Sequence, residues 1–461
     1  MEYDYDVDVL VAGGGPAGIT AAIAAARNQV KTLLVEKHGF LGGMITAGLV
    51  TWPGGFHTEQ GEQVIKGIPQ ELVDKTVQMG SMGHQLSPVR PNKITVTVFD
   101  EEILKYVAEE MVQQAGAEIL LHSFIFNVDT GGDRIQAVHI ANKSSKQTIR
   151  AKVVVDATGD GDVVAWSGAP FEQGREEDGL CMPVTTVFKM DRVNTKELVS
   201  YMEDNPEKFR KGKGWFRDIW VNRSSILFCN FAAFSEEWDR AVEKGELPAV
   251  IDKEHSGAGI RLGTSREDEL YMNMTRVIGI DSTDVKSLTK GEIEGRRQVM
   301  LCSAWLKKNV PGFRQARLVC TAPQVAIRES RRFNGQYVLA AKDIVEGRKF
   351  EDVVAKNAMG LDIHEQTEQG GHKWVRIRNG GSYGIPYRSL LPLKIENLIV
   401  AGRCISCTQQ AFTSVRWGGP CMATGQAAGT AAALAVRESK LPKELDIKYL
   451  QNVLLEQGAC L

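Results

Sequence analysis

The chain has 461 residues, 43% of them hydrophobic, with 55 lysines and arginines against 57 aspartates and glutamates and a formal charge of -2 at pH 7. That balance leaves no basic excess to neutralise a phosphate backbone, so nucleic acid is not an expected partner, and the length favours two domains or one elaborated α/β domain. No apolar run approaches the ~20 residues that span a bilayer, the acidic opening MEYDYDVDV lacks the positive charge expected of a leader, so no signal peptide is expected, and eight cysteines lie scattered without a disulfide spacing. A cytoplasmic chain with reduced thiols is expected, and beside one C-x-x-C, Cys404 to Cys407, no second Cys or His pair has metal-ligand spacing, so no metal is expected.

Residues 7–36 organise the rest. Val7, Val9 and Val11 alternate as a buried strand, and Gly13, Gly15 and Gly18 then fall in G-x-G-x-x-G spacing, with Pro16 and Ala17 between them, before a helical pattern at Ile19, Ala22, Ile23 and Ala26. In such a strand, turn and helix, Gly13 makes the turn, Gly15 lets backbone approach a pyrophosphate, and Gly18 packs helix on strand. The helix N-terminus favours a dianion. The second strand ends at Glu36, 18 residues beyond Gly18, where a carboxylate accepts hydrogen bonds from an adenosine ribose; Lys37 follows.

Gly42, Gly43 and Met44 form a loop that lets backbone pass close to a flat group or phosphates. Residues 51–100, rich in Gly and Pro, read as a loop and helical excursion. Leu104, Val107, Ala108, Met111 and Ala115 then give an amphipathic helix capped at Gly116. A strand AEILLH and a three-stranded meander follow, the last strand entering Ala157-Thr158-Gly159-Asp160-Gly161-Asp162, a small-residue turn at a strand end, where open α/β sheets hold ligands. Residues 176–390 change character, with strand-like runs at 184–190 and 270–280 and a helix at 292–308, and contain no second dinucleotide fingerprint. A buried strand then ends at Gly402-Arg403, an Ala/Gly-rich helix covers 421–436, and a last amphipathic helix covers 447–457.

Four of these segments, VLVAGGGPAG with Glu36, the Gly42-Gly43 loop, VVVDATGDGD, and IVAGR with RWGGPCMATGQAAGTAA, together resemble FAD-dependent oxidoreductases of the glutathione-reductase-like class. More narrowly, they are similar to a bacterial FAD-dependent oxidoreductase family whose members often carry the loose label of xanthan lyases. The resemblance runs through RESRRFNGQYVL, YGIPYRSLLP and the closing LQNVLLEQGACL. It implies an α/β fold: a Rossmann-like FAD-binding domain of glutathione-reductase type from residues 1–50, 101–175 and 391–461, with an inserted, mostly β substrate domain at 176–390. It implies Gly13, Gly15 and Gly18 at the pyrophosphate, Glu36 at the ribose, Gly42 and Gly43 near diphosphate and flavin, and Ala157, Thr158, Gly159 and Asp160 beneath the cofactor. Phe124 and Ile125 are expected to flank the adenine through backbone. Many relatives carry Gly-Asp where this chain has Gly402-Arg403, and an arginine suits a diphosphate. Gly418, Gly419, Cys421 and Met422 open a helix whose positive end should face the flavin pyrimidine, where reduction develops negative charge. SVRWGGP is similar to the R-x-G-G segment of succinate dehydrogenase and fumarate reductase flavoproteins, whose arginine binds a substrate carboxylate. The spacing from Arg416 to Gly425 is about one helical turn shorter here.

The expected chemistry is hydride transfer between flavin N5 and a small organic substrate, a carboxylate among the candidates. Arg416, Arg388, Tyr387, Tyr383 and His364 are the candidate catalytic groups. Arg388 has a second reading as an interdomain salt bridge, His364 as a structural histidine, and Arg328, Arg331 and Arg332 as an anion clamp or as partners of Glu329. Cys404 and Cys407, a C-x-x-C pair, read as a redox dithiol or as buried small thiols. Oxygen, a quinone, a protein carrier or diffusing NAD(P)H stay open as the electron partner, and an electron-transfer flavoprotein subunit is the alternative function.

Overall fold

The computed structural model describes residues 3–86, 95–205, 220–222, 225–228, 234–250, 268–364 and 372–461. Strand Tyr5–Ala12 sits inside a seven-stranded sheet between parallel neighbours Thr32–Val35 and Lys146–Asp156; Glu118–Leu120 extends one side, and Leu398–Val400 pairs with the end of Lys146–Asp156. Ala12 stands opposite Val35 and Asp156, and Val400 opposite Asp156, so four strands end at one level. A parallel sheet of this kind is covered on both faces, which is why these strands are continuous apolar runs, fully buried from Val9 to Ala12. Phe124–Gly131 and Arg134–Ala141 hang as the expected antiparallel meander on the first half of Lys146–Asp156.

Helices Pro16–Arg27 and Gly418–Arg437 pack on each other against this sheet. A Cβ at Gly425 would lie 2.1 Å from the Ala17 carbonyl oxygen, and one at Gly429 2.1 Å from that of Ala21. The small residues of the late helix therefore serve contact with the early helix. Thr20 Oγ1 donates to the Met422 carbonyl at 2.7 Å across the same seam.

The excursion holds helix Ile68–Gln78 and an antiparallel pair of Gly83–Leu86 with Thr95–Val98. Beyond it, Phe188–Asp191, Leu270–Met272 and Arg317–Thr321 form an antiparallel sheet, which helix Val285–Asn309 and the buried Trp238, Trp305 and Phe313 give a core of its own. Within the run at 270–280 only Leu270–Met272 is strand. Phe333, Leu339, Ile344, Tyr383 and Leu390 belong instead to the main core. By packing, the second layer ends near residue 330, although the chain character changes back only at 390. Segments 353–357 and 383–386 pair as short strands, and Val353–Asn357 packs on the late helix, so their sequence looks unlike the early Rossmann units although they share its core.

The two layers meet at a buried ionic contact. Lys189 Nζ donates to Glu101 Oε1 at 2.9 Å and lies 3.5 Å from Glu269, while the Tyr271 hydroxyl donates to Glu101. Burial pushes the Glu101 pKa up, but hydrogen bonds from Lys189 and Tyr271 outweigh it and hold the carboxyl below its ordinary value. The resulting stabilisation is present above the ordinary carboxylate pKa and is lost as pH falls through the lowered one. Lys189→Met leaves a buried carboxylate without its cation and is expected to cost about 3 kcal/mol, read as a lower urea midpoint. Lys189→Met with Glu101→Gln should recover part of that loss; a single variant no less stable than the double would contradict this account.

Candidate functional site

A cavity of about 1310 Å³, its mouth included, opens where the parallel strands end. It runs from Glu36 past Gly13, Gly15 and Gly43 to Gly402 and Cys421, and on to Asp362, His364 and Arg416. The glycines along it differ in what constrains them. Gly13, at φ +95°, would place a Cβ 2.6 Å from the Ala157 carbonyl oxygen, and a Cβ at Gly18 would fall 1.8 Å from that of Gly13; both are required by the fold. A Cβ at Gly15 would meet nothing closer than Gly43 Cα at 3.9 Å. Its backbone is bare toward the cavity without any need of the fold. Pro16 occupies the first helical turn, where its missing N–H costs nothing, and Ala17 follows on the cavity wall.

Glu36 is 6% exposed and held in place by backbone: Gly14 N–H donates to Oε2 at 2.6 Å and His38 N–H to Oε1 at 2.9 Å. Lys37 and His38 continue the wall, with His38 Nε2 2.8 Å from Gln324 Oε1. Gly42, at φ +112°, and Gly43 turn the chain back so that Gly42 N–H donates to the Gly14 carbonyl; Gly43 and Met44 line the cavity and Gly42 does not. Bare backbone at Gly15, a helix N-terminus and a fixed carboxylate 18 residues beyond Gly18 are what an adenine dinucleotide requires.

The turn after Lys146–Asp156 is built around Asp156, fully buried, which accepts from Thr158 N–H and Oγ1 and from Val164 N–H. Ala157, Thr158, Gly159 and Asp160 line the cavity. Asp162, just beyond, has its pKa raised to about 6 by burial and then by the charges of Asp160 and Asp156. A raised carboxyl pKa stabilises the fold at low pH and withdraws that stability as pH rises through about 6. Asp162→Asn should therefore be more stable than the parent at pH 7.5, by about 1 kcal/mol after allowing for partial exposure, with the gap closing by about pH 4. Thermal unfolding at the two pH values measures it.

Arg416 and His364, far apart in sequence, come together at the other end. Asp362 lies between them, its Oδ2 accepting from Arg416 Nη2 at 2.6 Å and standing 3.4 Å from His364 Nε2. All three side chains are 10–13% exposed. Arg416 Nε is buried with no partner among the described residues, as is Nε1 of the adjacent Trp417. Burial draws the Arg416 pKa down from its ordinary value while Asp362 and Glu329 oppose it, and a guanidinium keeps its charge. Asp362 was not a sequence candidate; its signal was its place two residues before His364 in a strand, on the same face.

Other candidates fall elsewhere. Arg388 pairs with Asp352 at 2.9 Å, half exposed and off the cavity; it is a salt bridge, but one within the 351–390 stretch and not between domains. Tyr387 is buried, its hydroxyl donating to the Pro442 carbonyl at 2.9 Å, and Tyr383 bonds Asn357 and Ser414 at 2.8 Å. Neither lines the cavity, because the 383–390 segment pairs with Val353–Asn357 and faces the core. Phe124 is 53% exposed and Ile125 is buried in the core. Their strand starts beside Glu36, whose carbonyl accepts from Ser123 N–H, yet contributes nothing to the wall. Gly418 and Cys421 line it; Gly419, whose Cβ would lie 2.4 Å from the Gly54 carbonyl oxygen, and Met422 are packing positions. Cys404 and Cys407 are free, buried and off the cavity; burial raises the Cys404 thiol well above its ordinary pKa and Cys407 to about 12, opposite to what a redox thiolate needs. Arg331 and Arg332 bond Asp162 and Glu329, while Arg328 lines the cavity.

The sequence profile of the FAD dependent oxidoreductases matches residues 8–454. This chain belongs to the FAD dependent oxidoreductase family. The flavoenzyme is 32% identical to a thiamine thiazole synthase of Methanococcus vannielii over 171 residues, 35% of its own length and 59% of the relative's. It is 29% identical to a digeranylgeranylglycerophospholipid reductase of Picrophilus torridus over 178 residues, 36% of this chain and 43% of that one. It thus spans about half the length of these curated relatives. A solved geranylgeranyl bacteriochlorophyll reductase-like protein from Thermoplasma acidophilum aligns over 98% of this chain and 84% of its own, at 13% identity and a TM-score of 0.47. FAD is the cofactor of the family, and the cradle described above fits it. Among the described residues no helix is long and apolar enough to cross a membrane, and no group of three or more His, Cys, Asp or Glu could hold a metal ion.

Proposed function

We propose that this FAD dependent oxidoreductase transfers a hydride between flavin N5 and a small organic substrate bearing a carboxylate or comparable anionic group. The observation that carries this reading is that Arg416, Asp362 and His364 line the same cavity as the dinucleotide cradle. Bound FAD supplies the two-electron chemistry.

Arg416 lines the cavity and holds and orients the anionic end of the substrate, while its Nη2 stays bonded to Asp362. His364 takes or returns the proton that accompanies the hydride, and Asp362, facing Nε2, holds a proton gained there. Trp52 and Trp417 form apolar walls that keep water from this end. The helix beginning at Gly418 directs its positive end to the region where reduction develops negative charge.

The test is to record the visible spectrum of the purified protein and to challenge it anaerobically with hydroxy acids, dicarboxylates and sugars. Bleaching by one of the anionic compounds supports the proposal. Bleaching only by neutral compounds removes the role of Arg416, and bleaching only by a protein carrier favours an electron-transfer subunit.

A further inference from the structure

Arg403 stands at the late-strand turn, where the resembling class carries an aspartate, and an arginine there suggested a diphosphate contact. The side chain does something else. Gly402, at φ +82°, turns the chain, and Arg403 points inward, 8% exposed. Its Nε donates to the Gly159 carbonyl at 2.6 Å, Nη2 to Asp160 Oδ1 at 2.8 Å, and Nη1 to the Ile327 carbonyl at 2.6 Å. Two of these acceptors belong to the turn beneath the cofactor and the third to the cavity wall contributed by the second layer. Arg331 runs a parallel bond, donating to the Asp160 carbonyl and to Asp162 Oδ1, both at 3.1 Å.

A planar guanidinium that serves three fixed acceptors in three directions is a clamp, with three of its five N–H groups committed to the protein. Its effect on Asp160 is specific. Oδ1 is taken by Arg403, and among the described residues nothing donates to Oδ2, although Asp160 lines the cavity. A carboxylate fixed through one oxygen and open at the other is an acceptor for a hydroxyl group.

We propose that Arg403 is a positioning residue: it fixes Asp160 so that Oδ2 accepts a hydrogen bond from a hydroxyl of FAD, and through Ile327 it makes cofactor binding and seating of the 325–332 wall one event.

The experiment compares apo-protein of the parent, Arg403→Lys and Asp160→Asn, measuring FAD Kd by flavin fluorescence quenching and hydrogen exchange of residues 325–332 with and without FAD. In the parent, FAD should slow exchange in that segment. Lysine keeps the charge but reaches fewer acceptors, so Arg403→Lys should raise Kd roughly 10- to 100-fold and abolish the FAD-dependent protection. Asp160→Asn should raise Kd roughly 10-fold and keep much of the protection, because Gly159 and Ile327 remain bonded to Arg403. Parent-like Kd in Arg403→Lys, or weakened binding with full FAD-dependent protection of 325–332, overturns the proposal, the latter by showing a role in the fold alone. Should Arg403→Lys fail to fold, an unchanged Kd in Asp160→Asn overturns it equally. A parent chain that takes up no FAD is a separate outcome, a failure of the cofactor assignment rather than of the clamp.

Discussion

Gly15→Val is expected to yield a folded, colourless protein. Gly15 has φ -73° and ψ -173°, extended backbone that any residue adopts, and its added Cβ would have 3.9 Å to the nearest atom. The fold leaves room for a Cβ at this position. What opposes the larger side chain is the pyrophosphate, which must approach the backbone at the helix N-terminus to within hydrogen-bonding distance. Two methyl groups in that path should weaken FAD by at least about 100-fold, or about 3 kcal/mol, while the thermal midpoint of the apo-protein stays within a few degrees of the parent. Gly18→Ala is the contrasting control: its Cβ would collide with the Gly13 carbonyl oxygen at 1.8 Å, so that variant should lose the fold together with the colour. FAD retained by Gly15→Val with parent affinity would show that the cofactor lies elsewhere.

Arg416→Ala should keep the yellow colour and lose substrate-driven bleaching. The guanidinium has no part in the cradle between Glu36 and Gly43, so FAD remains bound. Substrate, however, loses its anion partner, and the rate of anaerobic flavin reduction should fall by about 100-fold or more, the magnitude of a lost charge-assisted contact in a desolvated site. Stability falls as well, because Asp362 is left buried without its cation, a change of about 3 kcal/mol. Arg416→Ala with Asp362→Ala separates the two effects: it should regain part of the stability and none of the bleaching. Cys404→Ser with Cys407→Ser should leave bleaching intact, since both thiols are buried away from the cavity. Bleaching that survives Arg416→Ala but is lost on removal of the two cysteines would reverse the assignment.

The site was legible in uneven measure. The part of the cavity wall around Gly13, Gly15 and Glu36 was readable because local geometry and chemistry coincide there: a glycine spacing sets both the turn and the bare backbone, and Glu36 follows a strand whose register is set by the one before it. The substrate half of the site was readable only as a set of residue types. Arg388 and Arg416 are both arginines in Gly/Pro-bounded loops, and no one-dimensional pattern says which meets Asp352 at the surface and which meets Asp362 in the cavity. Tyr387 and Phe124 failed as site residues for the same reason, since a short strand pairing decided which way each segment faced.

The amino-acid sequence by itself determined the Rossmann-like half, the antiparallel meander and a dinucleotide cradle, because those follow from hydrophobic period, glycine placement and strand-end chemistry acting over a few tens of residues; that the dinucleotide is FAD follows from membership of the family. Only the tertiary structure decided that residues beyond about 330 rejoin the main core, that Asp362 bridges Arg416 and His364, and that Arg403 grips Asp160 and Ile327. These are contacts between segments tens to hundreds of positions apart, made by buried charges whose partners are chosen by how the layers close and not by any neighbour along the chain.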